Sequence, residues 1–276
     1  MRVAKVINNN VISVIQEDGA ELVVMGRGIA FKKKPGDEVD ENRIEKVFAL
    51  KNQQTTANFK MLLREVPMEL VVIVEDIIQF AKQQLGKQLN ENIYVSLTDH
   101  INFAIERQQK GMEIKNVMLW EIKQLYKEEF QIGMRTVEKI KQKLGIELPE
   151  DEAAFIAIHL ITAEMNEEVS TTMNITKFMQ NIINIVKYHY KTEFDEESLS
   201  YFRFITHLKF FAQRVFKGKH YDNNYEALYM MIKEKHQEAA ACTEKIKRFV
   251  EKEYGHELTS EEMLYLTVHI ERIVSR

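Results

Sequence analysis

One histidine pattern occurs twice in this chain, and the repeat is the strongest constraint on what the chain can fold into. His100 opens His100-Ile101-Asn102-Phe103 and is followed by Arg107; His207 opens His207-Leu208-Lys209-Phe210 and is followed by Arg214. A second pair of segments matches as well. Gly145-Ile146-Glu147-Leu148 leads to Glu152, Phe155 and His159, while Gly255-His256-Glu257-Leu258 leads to Glu262, Tyr265 and His269. The offsets are 107 and 110 residues. Most of the chain beyond the first fifty residues is therefore a tandem duplication, and each copy keeps two histidines at equivalent places. A repeat that preserves a titratable side chain in both copies points to use of the imidazole itself.

The first fifty residues have a different texture. Short β-branched runs at Val3–Ile7, Val11–Gln16, Glu21–Met25 and Ile29–Lys32 are separated by Asn8-Asn9-Asn10, Glu17-Asp18-Gly19 and Gly26-Arg27-Gly28. Asp-Gly is a strong hairpin signal, so a meander of about four antiparallel strands is expected. A sheet this small buries little core, and pairing with a second copy is the expected remedy. Lys51–Thr56 is polar and reads as a linker or the start of a connecting helix.

From about residue 60 the spacing is helical. Leu70, Ile73, Val74, Ile77, Ile78 and Ala81 form one face, with Pro67 near the start. Leu148-Pro149-Glu150-Asp151-Glu152 and Leu258-Thr259-Ser260-Glu261-Glu262 both read as helix starts, with acids in the first turn. The polar stretch 166–172 separates the copies. The expected fold is multidomain and mainly α: a small antiparallel β module at 1–56, then two homologous all-α helical-bundle domains at 65–168 and 172–276.

At 45% hydrophobic and 29% charged residues the composition is that of a globular protein. The lone Cys242 permits no intramolecular disulfide and no cysteine metal cluster, which fits a reducing cytoplasm. The opening residues lack the apolar core of a signal peptide. No apolar run approaches the ~20 residues needed to cross a bilayer. A cytoplasmic protein without membrane insertion is expected. Net charge is −4, yet residues 1–60 carry ten Lys/Arg against eight Asp/Glu, a weak nucleic-acid signal because most basic runs are solvated faces.

A single histidine in an apolar helix is usually a hydrogen-bonded, partly buried side chain. His189, His220, His236 and His256 have no repeat partner and read as surface or structural. For the repeated four, metal binding would want His-x-x-x-His or His-Glu-x-x-His spacing, which is absent. Acid–base catalysis would want a nucleophile elbow, a P-loop or a dinucleotide fingerprint, also absent, so neither an enzyme nor a cofactor is expected. The remaining use is as phosphoryl acceptor, since neutral imidazole is a competent nucleophile near pH 7. Arg107 and Arg214 are candidate responders to the added charge, although a solvated arginine on a helix surface is the commoner case. Asp99 is a candidate to orient His100; its counterpart is Thr206. In the β module, Lys5, Asn8, Asn10, Arg27 and Phe31 supply the cations, amides and aromatic that recognition of RNA requires. Gly26 and Gly28 allow close backbone approach. Taken alone, the asparagine run is more often a turn and Phe31 more often core.

Three stretches together resemble the BglG/SacY/LicT family of transcriptional antiterminators. They are Ala4-Lys5-Val6-Ile7-Asn8-Asn9-Asn10-Val11, the Met25–Phe31 segment and the two histidine modules, with Ile93–Ile105 especially similar. The resemblance covers essentially the whole chain. It implies a dimeric RNA-binding module that grips a leader-mRNA hairpin and so prevents an overlapping terminator from forming. Lys5, Asn10, Gly26, Arg27 and Phe31 would lie at the RNA surface, with Phe31 stacking on bases. It implies two phosphotransferase-system regulation domains. A sugar-specific permease would phosphorylate the first domain, at His100, His159 or both, and inhibit; the phosphocarrier HPr would phosphorylate the second, at His207, His269 or both, and activate. The implied inducer is a β-glucoside or β-glucan. Three rivals would also use such domains: a DNA-binding activator, for which no N-terminal helix-turn-helix pattern is present; a phosphocarrier; and a structural helical dimer in which the histidines are core.

Overall fold

A computed structural model describes residues 1–16, 19–218 and 225–275. The hairpin tip Glu17-Asp18 and His220 lie outside the described residues. The chain divides into two compact units, Met1–Val169 and Ser170–Arg276.

The first unit begins with a four-stranded antiparallel sheet in sequence order: β1 (Val3–Asn8), β2 (Val11–Ile15), β3 (Glu21–Met25) and β4 (Lys46–Phe48). Gly19, at φ +83, donates its N–H to the Gln16 carbonyl and helps to close the β2–β3 hairpin. The two central strands are buried on both faces, so they read as nearly unbroken runs of Val and Ile rather than alternating patterns. Ile12, Val14, Leu22 and Val24 join Val3, Ile29, Ala30 and Val39 in a small core. Val11, Val23, Met25 and Phe48 point the other way.

Two expectations change here. Ile29–Lys32 is not the fourth strand. Gly28 and Lys32 take positive φ, and the N–H groups of Ile29 and Phe31 close turns on the Gly26 and Gly28 carbonyls, leaving no ladder to extend. β4 fills that place instead, entered through a 3-10 turn at Glu41–Arg43. The second change concerns the small core expected of the sheet: this chain's own helices cover one of its faces. α1 (Gln53–Leu62), capped by Asn52, lays Phe59 against the sheet. The Phe59 ring centroid is 5.0 Å from that of Phe48 and 6.1 Å from that of Tyr94, and all three belong to one continuous core with the helices that follow. Ion pairs tie the same elements at the rim: Lys60 to Glu21 at 2.7 Å, and Lys46 and Lys139 to Asp76, each at 3.0 Å.

The rest of this unit is α2 (Met68–Leu85), α3 (Ile93–Gln109), α4 (Leu119–Leu125), α5 (Lys127–Leu144) and α6 (Glu150–Met165). α2 starts behind Pro67 as expected. α5 and α6 pack closely at Gly133, where a Cβ would stand 2.2 Å from the Ala153 carbonyl oxygen. α6 ends on Asn166 in the left-handed region, and helix resumes at Val169, so only three residues of the polar stretch 166–172 remain outside helix.

The second unit repeats the order, with α7 (Val169–Tyr190), α8 (Leu199–Lys217), α9 (Glu226–Lys235), α10 (Gln237–Tyr254) and α11 (Ser260–Val274). α5 and α10 both close on a left-handed glycine, Gly145 and Gly255. Among the described residues no helix is long and apolar enough to cross a membrane.

A shared core predicts shared stability. Phe59→Ala should destabilise the first unit by about 3–5 kcal/mol, the usual cost of truncating a fully buried phenylalanine. The readout is urea unfolding followed through Trp120, the chain's single tryptophan, which lies on α4. An unmoved Trp120 transition would mean that sheet and bundle unfold independently.

Candidate functional site

α3 carries His100 and, two turns on, Arg107, so both side chains share one face. The start of α6 faces them with Glu152, Phe155 and His159 at helical spacing. Glu152 is the hub: one carboxylate oxygen lies 3.0 Å from His100 Nε2, and the other accepts from the Arg107 guanidinium at 2.7 Å. Burial works against ionisation of Glu152, but His100 and Arg107 together hold its carboxyl below the usual range. Arg107 is buried, with its guanidinium 4.7 Å from the centroid of the Phe103 ring, so the solvated arginine is not what the fold produces. Nor is Asp99 the group that reaches His100; it is exposed. The His159 ring centroid lies 4.9 Å from that of His100. Burial, and behind it the neighbouring His100, push His159 down to about 3. Its Nδ1 is buried without a hydrogen-bond partner among the described residues.

α8 and α11 build the second cluster. The His207 and His269 rings are 4.1 Å apart, with Tyr265 stacked at 5.9 Å from His207. They line an open pocket of about 200 Å³ together with Phe210, Arg214, Glu262 and Tyr265. Burial, then the charges of His207, Arg272 and Arg203, lower His269 to about 4. Burial and Arg214 also lower His207. Glu262 behaves unlike Glu152. It forms a capping box with Thr259, lies 3.3 Å from His256 Nε2 and receives Arg214 at 3.4 Å.

Of the histidines read as surface or structural, His256 is buried. His189 lies 2.6 Å from Glu238, and His236 is 3.4 Å from Glu271. Sequence reasoning missed what Glu152, Glu262 and His256 do. Both glutamates were visible as a repeated position but read only as helix-start acids. His256 was set aside because Ile146 stands at its place, and that divergence was itself the signal.

In the β module one hydrogen-bonded corner collects most of the candidate residues. The Asn8 side-chain oxygen accepts from the Asn10 N–H, and the Asn10 side-chain oxygen accepts from the Gly28 N–H, both at 2.8 Å. Gly26 donates to the Asn10 carbonyl, and a Cβ there would stand 1.7 Å from the Arg43 carbonyl oxygen, so this position excludes other residues. Arg27 is exposed on the same corner. Phe31 follows on the adjoining turn with 59% of its surface exposed, which answers whether it is core. Lys5 is exposed on β1, outside this bonded corner. Asn8 also donates to the Leu63 carbonyl at the end of α1.

Residues 1–57 match the CAT RNA binding domain family, and residues 75–163 and 180–273 each match the PRD domain family. Over 276 residues the chain is 60% identical to the transcription antiterminator LicT of Bacillus subtilis (strain 168), with 100% of both chains covered. It is 46% identical over 275 residues to the beta-glucoside operon antiterminator of Dickeya chrysanthemi, covering 100% of this chain and 97% of that one. The crystal structure of GlcT CAT-PRDI superposes with a TM-score of 0.51 at 42% identity, covering 59% of this chain and 97% of that chain.

The depressed histidines have a pH consequence. In the unfolded chain an imidazole takes its proton near 6.5, whereas folded His159 does so near 3 and His269 near 4. Between those values the unfolded state binds more protons, so stability is full above about pH 6.5 and falls as pH drops through this window. Histidine NMR titration from pH 8 to 5 should leave the His159 and His269 ring signals nearly unmoved. A midpoint near 6.5 for either would refute the dry, neutral pair.

Proposed function

The chain belongs to the BglG/SacY/LicT family of transcription antiterminators, with a CAT RNA binding domain ahead of two PRD domains, and from that premise we propose how its residues do the work. The protein is an RNA-binding regulator of transcription. The RNA module, residues 1–56, grips a leader-mRNA hairpin of a β-glucoside operon as a homodimer in the cytoplasm, so that the overlapping terminator cannot form. Residues 65–168 and 172–276 are the two regulatory domains. Arg27 and Lys5 meet phosphates, the amides of Asn8 and Asn10 meet base edges, Gly26 lets the backbone approach, and Phe31 stacks on a base. The exposure of Phe31 carries the RNA half of this reading: a large ring left in water beside a basic corner is an unused stacking platform.

The regulatory half rests on two pairs of histidine rings at 4.9 and 4.1 Å. Depressed basicity keeps His207 unprotonated at neutral pH, the form that attacks phosphorus. A phosphoryl group adds roughly −1.5 to −2 of charge and three strong acceptors. In the second domain Arg214 lies in the same pocket to receive it. HPr would load His207 and His269 and activate; a sugar-specific permease would load His100 and His159 and inhibit. Added charge changes how the domains of two copies pair, and RNA affinity follows because the hairpin needs two modules at once.

Full-length protein should bind an RNA hairpin with internal loops far more tightly than duplex DNA of equal charge across a salt series. Phe31→Ala should weaken that binding by roughly one to three kcal/mol, the worth of one stacked base. Equal, weak, salt-sensitive binding to both nucleic acids would defeat the RNA reading. The variant His207→Asp with His269→Asp should dimerise more tightly and bind RNA better. Unchanged values on both counts would defeat the interface mechanism.

A further inference from the structure

The two histidine clusters share a frame but dispose of the same buried carboxylate differently. Glu152 has one oxygen on His100 Nε2 at 3.0 Å and the other on Arg107. Its repeat partner Glu262 is held by His256 Nε2 at 3.3 Å, by the Thr259 N–H at 3.1 Å and by Arg214 at 3.4 Å. Counting from the glycine that closes α5 or α10, Ile146 and Pro149 occupy the places of His256 and Thr259. Isoleucine offers no donor and proline has no N–H. Glu152 therefore has neither anchor and pairs with His100; Glu262 has both and leaves His207 facing the pocket with Arg214.

We propose that His256 and Thr259 are positioning residues that hold the Glu262 carboxylate off the His207 ring and so leave that ring open to an incoming phosphoryl anion. This rests on the histidine-phosphorylation reading above. In the transfer, a lone pair on a His207 ring nitrogen forms a new P–N bond while the donor's P–N bond breaks. The donor imidazole leaves with that electron pair and takes a proton from solvent, and His207 sheds its ring proton to solvent. A carboxylate bonded to the acceptor ring would repel the arriving phosphoryl oxygens and occupy one of the two ring nitrogens. In the second domain Glu262 still lines the pocket, but its oxygens are taken up by His256, Thr259 and Arg214 rather than by the acceptor ring; in the first domain Glu152 bonds that ring.

The test uses the full chain and, as donor, a phosphocarrier protein phosphorylated on histidine, with sites of labelling mapped by peptide mass spectrometry. Grafting the first-domain residues, His256→Ile with Thr259→Pro, should slow labelling of the second domain about tenfold, equivalent to roughly 1.4 kcal/mol on the barrier. Adding Glu262→Gln to the graft should restore most of the rate, which loss of a merely structural residue would not do. The reciprocal graft, Ile146→His with Pro149→Thr, gives an independent reading by ¹⁵N imidazole NMR, in which His100 should lose its carboxylate-bonded signature. Labelling of the first graft at the wild-type rate, slow labelling that Glu262→Gln leaves uncorrected, or a retained His100 signature would each overturn the proposal. Absence of second-domain labelling in the wild-type chain would instead overturn the phosphorylation reading, and this one with it.

Discussion

A carboxylate taken out of water must be met by cations or hydrogen-bond donors, because an isolated buried charge costs several kcal/mol. Each helical domain places such a group beside its histidine pair, in the first turn of the helix that carries the second histidine: Glu152 in α6 and Glu262 in α11. The positive end of the helix dipole favours the charge there; the opposite helix adds an arginine in both domains, and in the second His256 and Thr259 join from the segment before α11. Arg107 and Arg214 share a helical face with His100 and His207 because seven residues make about two turns. Whether a carboxylate bonds the first histidine of the pair follows from how that charge is satisfied.

Repetition and divergence then do different work. The duplicated frame gives both domains a histidine pair within about 5 Å. The segment after the closing glycine, only a few residues long, decides whether the carboxylate turns toward that pair or away from it. Two domains with one fold thereby present unlike surfaces to phosphoryl donors, and no change of secondary structure is needed to achieve it.

Much of the fold was legible from periodicity. The first three strands, the Pro67 helix start and the helices opening near residues 150 and 260 all declare themselves through β-branched runs, helical periodicity and turn residues. Ile29–Lys32 misled because a β-branched residue between glycines looks like a strand, whereas Gly28 and Lys32 in the left-handed region curl the chain. Among the site residues, the four histidines and the exposed Phe31 could be singled out in one dimension. The burial of Arg107 could not, since the carboxylate that draws it inward lies 45 residues away. Nor could the cover on the sheet's inner face, because Phe59 and Tyr94 meet Phe48 only through tertiary packing.

That packing also orders events during synthesis. The strands leave the ribosome first, yet the face bearing Val11, Val23, Met25 and Phe48 has no intramolecular cover until α1 and then the start of α3, with Tyr94, have followed. For the time it takes to translate those forty-odd further residues, a newly made sheet presents an apolar surface with no intramolecular cover. The sheet is thus a surface whose burial depends on the arrival of helices made after it.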